Sequence, residues 1–114
     1  MNEEIGTLRL GAGDNLHLIV GGEHYRIAED DLRTLLFRGH PAPVTMTVAE
    51  EGPDGVIVTE TAIVGHAAMG VTGRAVKIFT RIGHFIVPLV SFRRVVTGEA
   101  VSAPLFPLIE EGYP

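Results

Sequence analysis

Fourteen glycines and seven prolines are spread along the chain, so regular elements must be short and joined by many turns. Ile5 to Leu10 reads as a strand, with Ile5, Thr7 and Arg9 on one face and Leu8 and Leu10 on the other. Gly11-Ala12-Gly13-Asp14-Asn15 is a turn cluster. Leu16 to Val20 and His24 to Ile27 then form a hairpin across Gly21-Gly22, because tight hairpin turns require positive φ. Val44 to Ala49 alternates Val44, Met46 and Val48 with Thr45 and Thr47, the pattern of a half-buried strand. After the turn Gly52-Pro53-Asp54-Gly55, a long β-branched run extends from Val56 to Val64. Gly65 to Gly73 fits either a loop or a bulged strand. Arg74 to Arg81 and Phe85 to Val87 make a second hairpin across Ile82-Gly83-His84. Pro104 and Pro107 place Ala103 to Ile109 as an edge strand or an extended peptide lying on the barrel.

Two helices interrupt these strands. The first opens on Glu29, Asp30 and Asp31, whose charges suit the positive end of the helix dipole. It carries the stripe Leu32, Leu35, Leu36, has Arg38 in its last turn, and ends at Gly39, suited to the left-handed C′ position. Pro41 stops it. The second begins with Pro88 at its first position and carries Leu89, Phe92, Val95 and Val96 before Gly98. Its Val and Phe content leaves an extended strand as the alternative.

The chain echoes itself. A shift of sixty residues sets Leu16, Leu18 and Ile19 on Val76, Ile78 and Phe79, and His24-Tyr25 on His84-Phe85. It also sets Leu32-Arg33 on Phe92-Arg93 and Leu35-Leu36 on Val95-Val96. A single hairpin with one short helix cannot bury its apolar face, whereas two such units can share one core. The expected fold is therefore mainly β with two short helices, in one domain spanning residues 1–114. It is a small closed or partly open barrel or sandwich of two pseudo-symmetric β-β-β-α-β halves, approximately 5–49 and 56–109, with the helices covering its open ends. Double-psi and related cradle-loop barrels are built from duplicated units of this general order; PH-like and SH3-like barrels stay open as alternatives.

Charge is uneven. The net charge is −5, yet Thr61 to Gly98 holds Arg74, Lys77, Arg81, Arg93 and Arg94 without one Asp or Glu. The acids gather in the first sixty residues. No run approaches the roughly 18 apolar residues of a membrane span. The start Met1-Asn2-Glu3-Glu4 is acidic where a secretory signal is basic, and cysteine is absent. A cytoplasmic location is expected.

Catalytic patterns are missing. The glycine clusters lead into strands rather than helices, so they are turn punctuation and not phosphate loops. Ser91 and Ser102 sit in no nucleophile elbow, and the paired acids at 30–31, 50–51 and 110–111 are sequence neighbours that cannot face each other across a cleft. The reading leans away from an enzyme, and no cofactor is expected. Among the five histidines none forms an HxH or HxxxH pair; His24 and His84, matched by the repeat, are the metal candidates if the halves bring them together. Arg33 and Arg93, also matched, are the anion-binding candidates, with Arg81 and Arg94 reinforcing them. Tyr25, Phe79, Phe85 and Phe92 mostly fall at core-facing positions, which disfavours base stacking. The expected function is a non-catalytic interaction module that forms a homo-oligomer and binds a protein partner. An anion- or nucleic-acid-binding domain using the basic 61–98 segment is the alternative, and a His-based metal binder or enzyme is a further one. No membrane partner is expected.

Overall fold

Inward residues of the short alternating strands need one another's cover, and a closed sheet supplies it. The computed structural model describes residues 5–11 and 15–108. Its strands are β1 (Gly6–Leu10), β2 (Leu16–Val20), β3 (Glu23–Ile27), β4 (Ala42–Glu51), β5 (Ile57–Met69), β6 (Ala75–Thr80), β7 (Gly83–Pro88) and β8 (Ser102–Pro107). Helix α1 (Glu29–Arg38) joins β3 to β4, and α2 (Leu89–Val96) joins β7 to β8. The strands run antiparallel around a closed barrel in chain order, with β8 returning to pair with β1. The protein is mainly β with two short helices.

One apolar cluster fills the barrel. Leu8, Leu16, Leu18, Ile27, Val44, Val76, Ile78, Val87 and Leu105 point inward from the strands, and Leu32, Leu35, Phe92 and Val95 seal the cluster from the helices. No polar side chain is buried among the described residues. Gly21 and Gly22 have φ of 56° and 81°, which makes a tight two-residue turn between β2 and β3 and pins Val20 opposite Glu23. Gly39 caps α1 at φ 67°, its N–H donating to the Leu35 carbonyl.

The order β-β-β-α-β occurs twice, and the β2–β3 pairs Leu16↔Ile27, Leu18↔Tyr25 and Val20↔Glu23 become the β6–β7 pairs on adding sixty. Several expectations need revision. Within 88–97 the chain is helical from Leu89 to Val96, but Pro88 stays extended at ψ 138° as the last residue of β7, so α2 starts one residue later. The ambiguous stretch after Gly65 continues β5 to Met69 before turning. Because β3 and β7 run in the same direction, α1 and α2 cover one end of the barrel, called here the upper end, and not both.

The proline-bearing tail is no peripheral peptide; as far as it is described it is β8, the strand that closes the barrel (Ile109 lies outside the described residues). Ser102 to Leu105 pair with β1, whereas only Phe106 and Pro107 pair with β7. Pro104 and Pro107 thus each have one flank with no registered neighbour, where a missing N–H costs no ladder bond. The edge argument holds for each proline and fails for the strand.

The β4–β5 hairpin outgrows the barrel. β3 pairs with β4 only at Arg26↔Thr45, and β6 pairs with β5 only from Gly65 onward, while β4 and β5 stay paired from Ala42↔Ala67 to Glu51↔Ile57. Residues 46–51 and 57–64 therefore form a two-stranded arm leaving the lower end. A β-bulge between Val44 and Thr45 marks its root. The arm accounts for a molecule 51 Å long and 24 Å thick, with a radius of gyration of 15.0 Å against about 13 Å for a compact chain of this size. Of the alternating residues Val44, Met46 and Val48, only Val44 is buried.

Candidate functional site

On β1, β2 and β3 the inward apolar residues leave their alternate neighbours on the outer wall. Arg9 lies opposite His17, and His17 lies opposite Arg26. Three basic side chains thus form one row across three strands, with directly opposed neighbours only about 5 Å apart. His24 sits one rung below, opposite Ile19, and its Nε2 is 2.7 Å from His17 Nδ1, so the two imidazoles share one hydrogen bond. Their rings lie 4.8 Å apart at 60°.

Local backbone positions the pair. A methyl group on Gly11, at the start of the β1–β2 loop, would collide with His17 Cδ2 and Nε2. Glycine is what lets the imidazole lie against that loop. On the other side the arm's root contributes Met46 and Thr47, which with His17, His24 and Arg26 line a shallow depression of about 180 Å³. A second depression of about 300 Å³, formed by Arg9, Leu10, Gly11, His17, Ile19 and His24, lies across the imidazole ridge. Neither contains a carboxylate among the described residues. Burial holds His17 below the usual imidazole range, and the charges of His24, Arg26 and Arg9 press it further down.

The structure distributes the expected site residues differently. His24 on β3 and His84 on β7 stand four strands apart in an eight-stranded ring, on opposite outer walls, so they do not converge. No group of three or more metal-ligating side chains forms among the described residues. His84 instead meets Phe79 edge-on at 4.9 Å, and Phe79 stacks on His66 at 5.0 Å. Phe79 therefore faces outward, half-buried, and not into the core as its position suggested. Ile86, Pro88 and Phe106 with Arg74 and Ala75 line a further depression on this wall.

The four arginines do not share a patch. Arg33 on α1 and Arg93 and Arg94 on α2 belong to the upper end, while Arg81 sits in the β6–β7 turn at the lower end. There Arg81 acts on the Tyr25 phenol, which burial raises above its ordinary value with help from Glu23, against the pull of Arg81. Arg33 pairs with Glu29 at 3.0 Å and Arg94 with Glu99 at 3.6 Å, both at the surface.

The basic cluster thus lies in the half whose sequence is richer in acid. Glu29, Asp30 and Asp31 go to the start of α1, and Glu50, Glu51, Asp54 and Glu60 go to the arm. Among the described residues that sorting leaves Glu23, at the start of β3, as the one acid on β1–β3, whose wall carries Arg9, His17, His24 and Arg26. Comparison with family models, with curated proteins and with solved structures finds no match.

Proposed function

We propose that the protein is a non-catalytic β-barrel interaction module that assembles with a second copy of itself through the β4–β5 arm and so presents a joint surface to a protein partner. The observation that carries this reading is the arm's lack of cover. A two-stranded ribbon is marginal in water on its own, and beyond its root this one has an open edge along each strand. Ile57, Val58 and Ile63 are 68%, 53% and 74% exposed on it. Natural edges are usually blunted by charged side chains, lysine above all, by proline or by a covering element, and the charges on these two strands are Glu50, Glu51 and Glu60. Among residues 46–51 and 57–64 there is no lysine, arginine or proline.

A second copy fits the β4 edge. Antiparallel pairing about a twofold axis with Val48 opposite Ala49 of the second copy sets Thr47 opposite Glu50 and Met46 opposite Glu51. No like charges meet, and the second copy's acidic tip approaches the arm root beside Arg26. The β5 edge is less suitable, since twofold pairing about its middle sets Glu60 near Glu60. The repeated element order and the sixty-residue register offset support descent of the two halves from one duplicated unit, with the arm an elaboration of the central hairpin.

Light scattering across a concentration series tests the reading. The wild-type chain should reach twice its monomer mass, and the edge-blocking pair Thr47→Lys with Val48→Lys should stay monomeric with an unchanged far-UV spectrum. A wild type that stays monomeric up to its solubility limit, or a dimer indifferent to the two lysines, refutes it.

A further inference from the structure

We infer that the outer wall of β1–β3 is a binding site for a tetrahedral oxyanion, free inorganic phosphate or the phosphate group of a small monoester, seated on Arg9, His17 and Arg26 with His24 behind. The site's charged groups stand on the barrel. Arm pairing as proposed would bring a second copy's acidic tip beside Arg26 and compete with the anion, so the titration is run at concentrations where the chain is monomeric. Arg9 and Arg26 flank His17 from the two neighbouring strands, so a proton on His17 is opposed from both sides and is favoured by a counter-anion. The salt bridges among the described residues take up Arg33 and Arg94 and not these two arginines. Guanidinium groups are suited to phosphate, offering two parallel N–H donors to two oxygens. A metal ion is disfavoured at the same place, because both flanks of the imidazole pair are cationic.

The imidazole pair supplies a proton-dependent donor set. When both rings are neutral, one N–H lies inside the His17–His24 bond and only one of the two outer nitrogens carries hydrogen. Adding a single proton preserves the inner N–H···N bond, puts an N–H on each outer nitrogen and gives the pair a positive charge; the outer nitrogens point apart, so one oxyanion meets only one of them. The singly protonated pair is therefore the better oxyanion receptor, and binding favours uptake of a proton by the pair. The groups around it are Arg9 on β1, Arg26 and Glu23 on β3, Met46 and Thr47 on β4 and Gly11 in the loop. Among the described residues Glu23 is the only carboxylate in this set, on the residue before His24 and outside both depressions. Burial is the larger cause of the lowered proton affinity of His17, and a bound anion would offset the smaller part that comes from His24, Arg26 and Arg9.

The test is a titration of the full chain followed through its imidazole resonances. Inorganic phosphate and a nucleoside monophosphate are the two ligand arms, and sulfate is the probe for pH dependence because its charge stays constant over the range. His17 and His24 should shift saturably, while His66 and His84 on the other walls stay still. Arg9→Gln and Arg26→Gln should each weaken binding about tenfold, as loss of one charge-assisted contact does, and the double variant should abolish saturation. Sulfate affinity should rise as pH falls through the imidazole range, with proton uptake. Tighter binding of the monoester than of phosphate assigns the site to an esterified ligand; equal or weaker binding assigns it to free phosphate. Both substitutions replace outward side chains, and urea melts of all three variants confirm the fold. Shifts that do not saturate, that persist in the double variant, or that appear equally at His66 and His84 overturn the proposal.

Discussion

Replacing Gly65 by alanine tests how closely β5 and β6 approach where the arm leaves the barrel. In an ordinary strand the change is favourable by about 0.5–1 kcal/mol, because glycine loses more backbone freedom on folding. Here the new methyl would strike the Phe79 carbonyl oxygen and lie 2.9 Å from its carbon and 3.0 Å from Thr80 Cα. All three are backbone atoms, so no side-chain rotation relieves the clash. Ordinary contact begins near 3.4 Å, and the two strands must part by a substantial fraction of an ångström or more. Overpacking of this kind costs about 1–3 kcal/mol, and loosening two ladder bonds adds about 1 kcal/mol each. The net loss is about 2–4 kcal/mol, a fall of about 1–3 M in the urea midpoint for a domain of this size.

Two other glycines calibrate the effect. At Gly6 the methyl meets the Ile19 carbonyl oxygen at 2.6 Å and Val20 Cγ2 at 2.8 Å, and the valine can turn away. A loss of about 1–2 kcal/mol is expected there. At Gly70 the nearest atom, the Ala75 carbonyl oxygen, is 3.2 Å away, and the change should be close to neutral. Urea unfolding at one pH, followed by two probes to check two-state behaviour, gives the ranking. A Gly65 variant within about 0.5 kcal/mol of wild type, or a Gly70 variant that loses more, would show that the strands do not approach as described.

Phe92→Ala removes the largest fully buried side chain, the one α2 places over the core, and should cost about 3–5 kcal/mol by calorimetry or denaturant. Arg33→Ala should change stability by less than about 0.5 kcal/mol, since its bond to Glu29 joins two exposed groups one helical turn apart. His17 has its proton affinity lowered on folding, so the unfolded chain binds more protons between the two values. Stability should hold above the ordinary value of about 6.5 and decline as pH falls from there to the folded-state value; His17→Gln should flatten that decline in an anion-free buffer. Amides on the outer edges of residues 46–51 and 57–64 should exchange faster than those of β2 and β6 in a monomeric sample, and slow with concentration if the arm pairs.

Features readable from the sequence were those set by local chemistry. Three acids ahead of Leu32, Leu35 and Leu36, with Gly39 behind, specify α1 without outside help. The Gly21-Gly22 turn likewise specifies β2 against β3, and with it the pairing of His17 with Arg26 and the diagonal His17–His24 contact. That much of the basic wall could have been found by counting outward from the turn. Adding Arg9 required the register across the β1–β2 loop, and no short turn there determines it. Alternation misled at Val48 and Phe79 for one reason: it separates a strand's two faces without saying which has a layer to cover it. Val48 lies on an arm that has left the barrel, and Phe79 lies on the outer wall between two histidines. The sorting of acids to α1 and the arm is equally invisible to a running sum of charge.

The seam between β1 and β8 has a consequence for how the protein comes into being. Gly6 to Arg9 find their second neighbour in Ser102 to Leu105, almost a hundred residues later. During synthesis the β1–β2–β3 sheet can assemble early, but its free side waits until β8 has emerged. In that interval β1 is an open edge beside nascent neighbours, the state from which wrong pairings arise. Closure at such separation is entropically slow. The two prolines of β8 remove donors from the last strand to arrive, and so limit the ways in which it can be captured before it reaches β1.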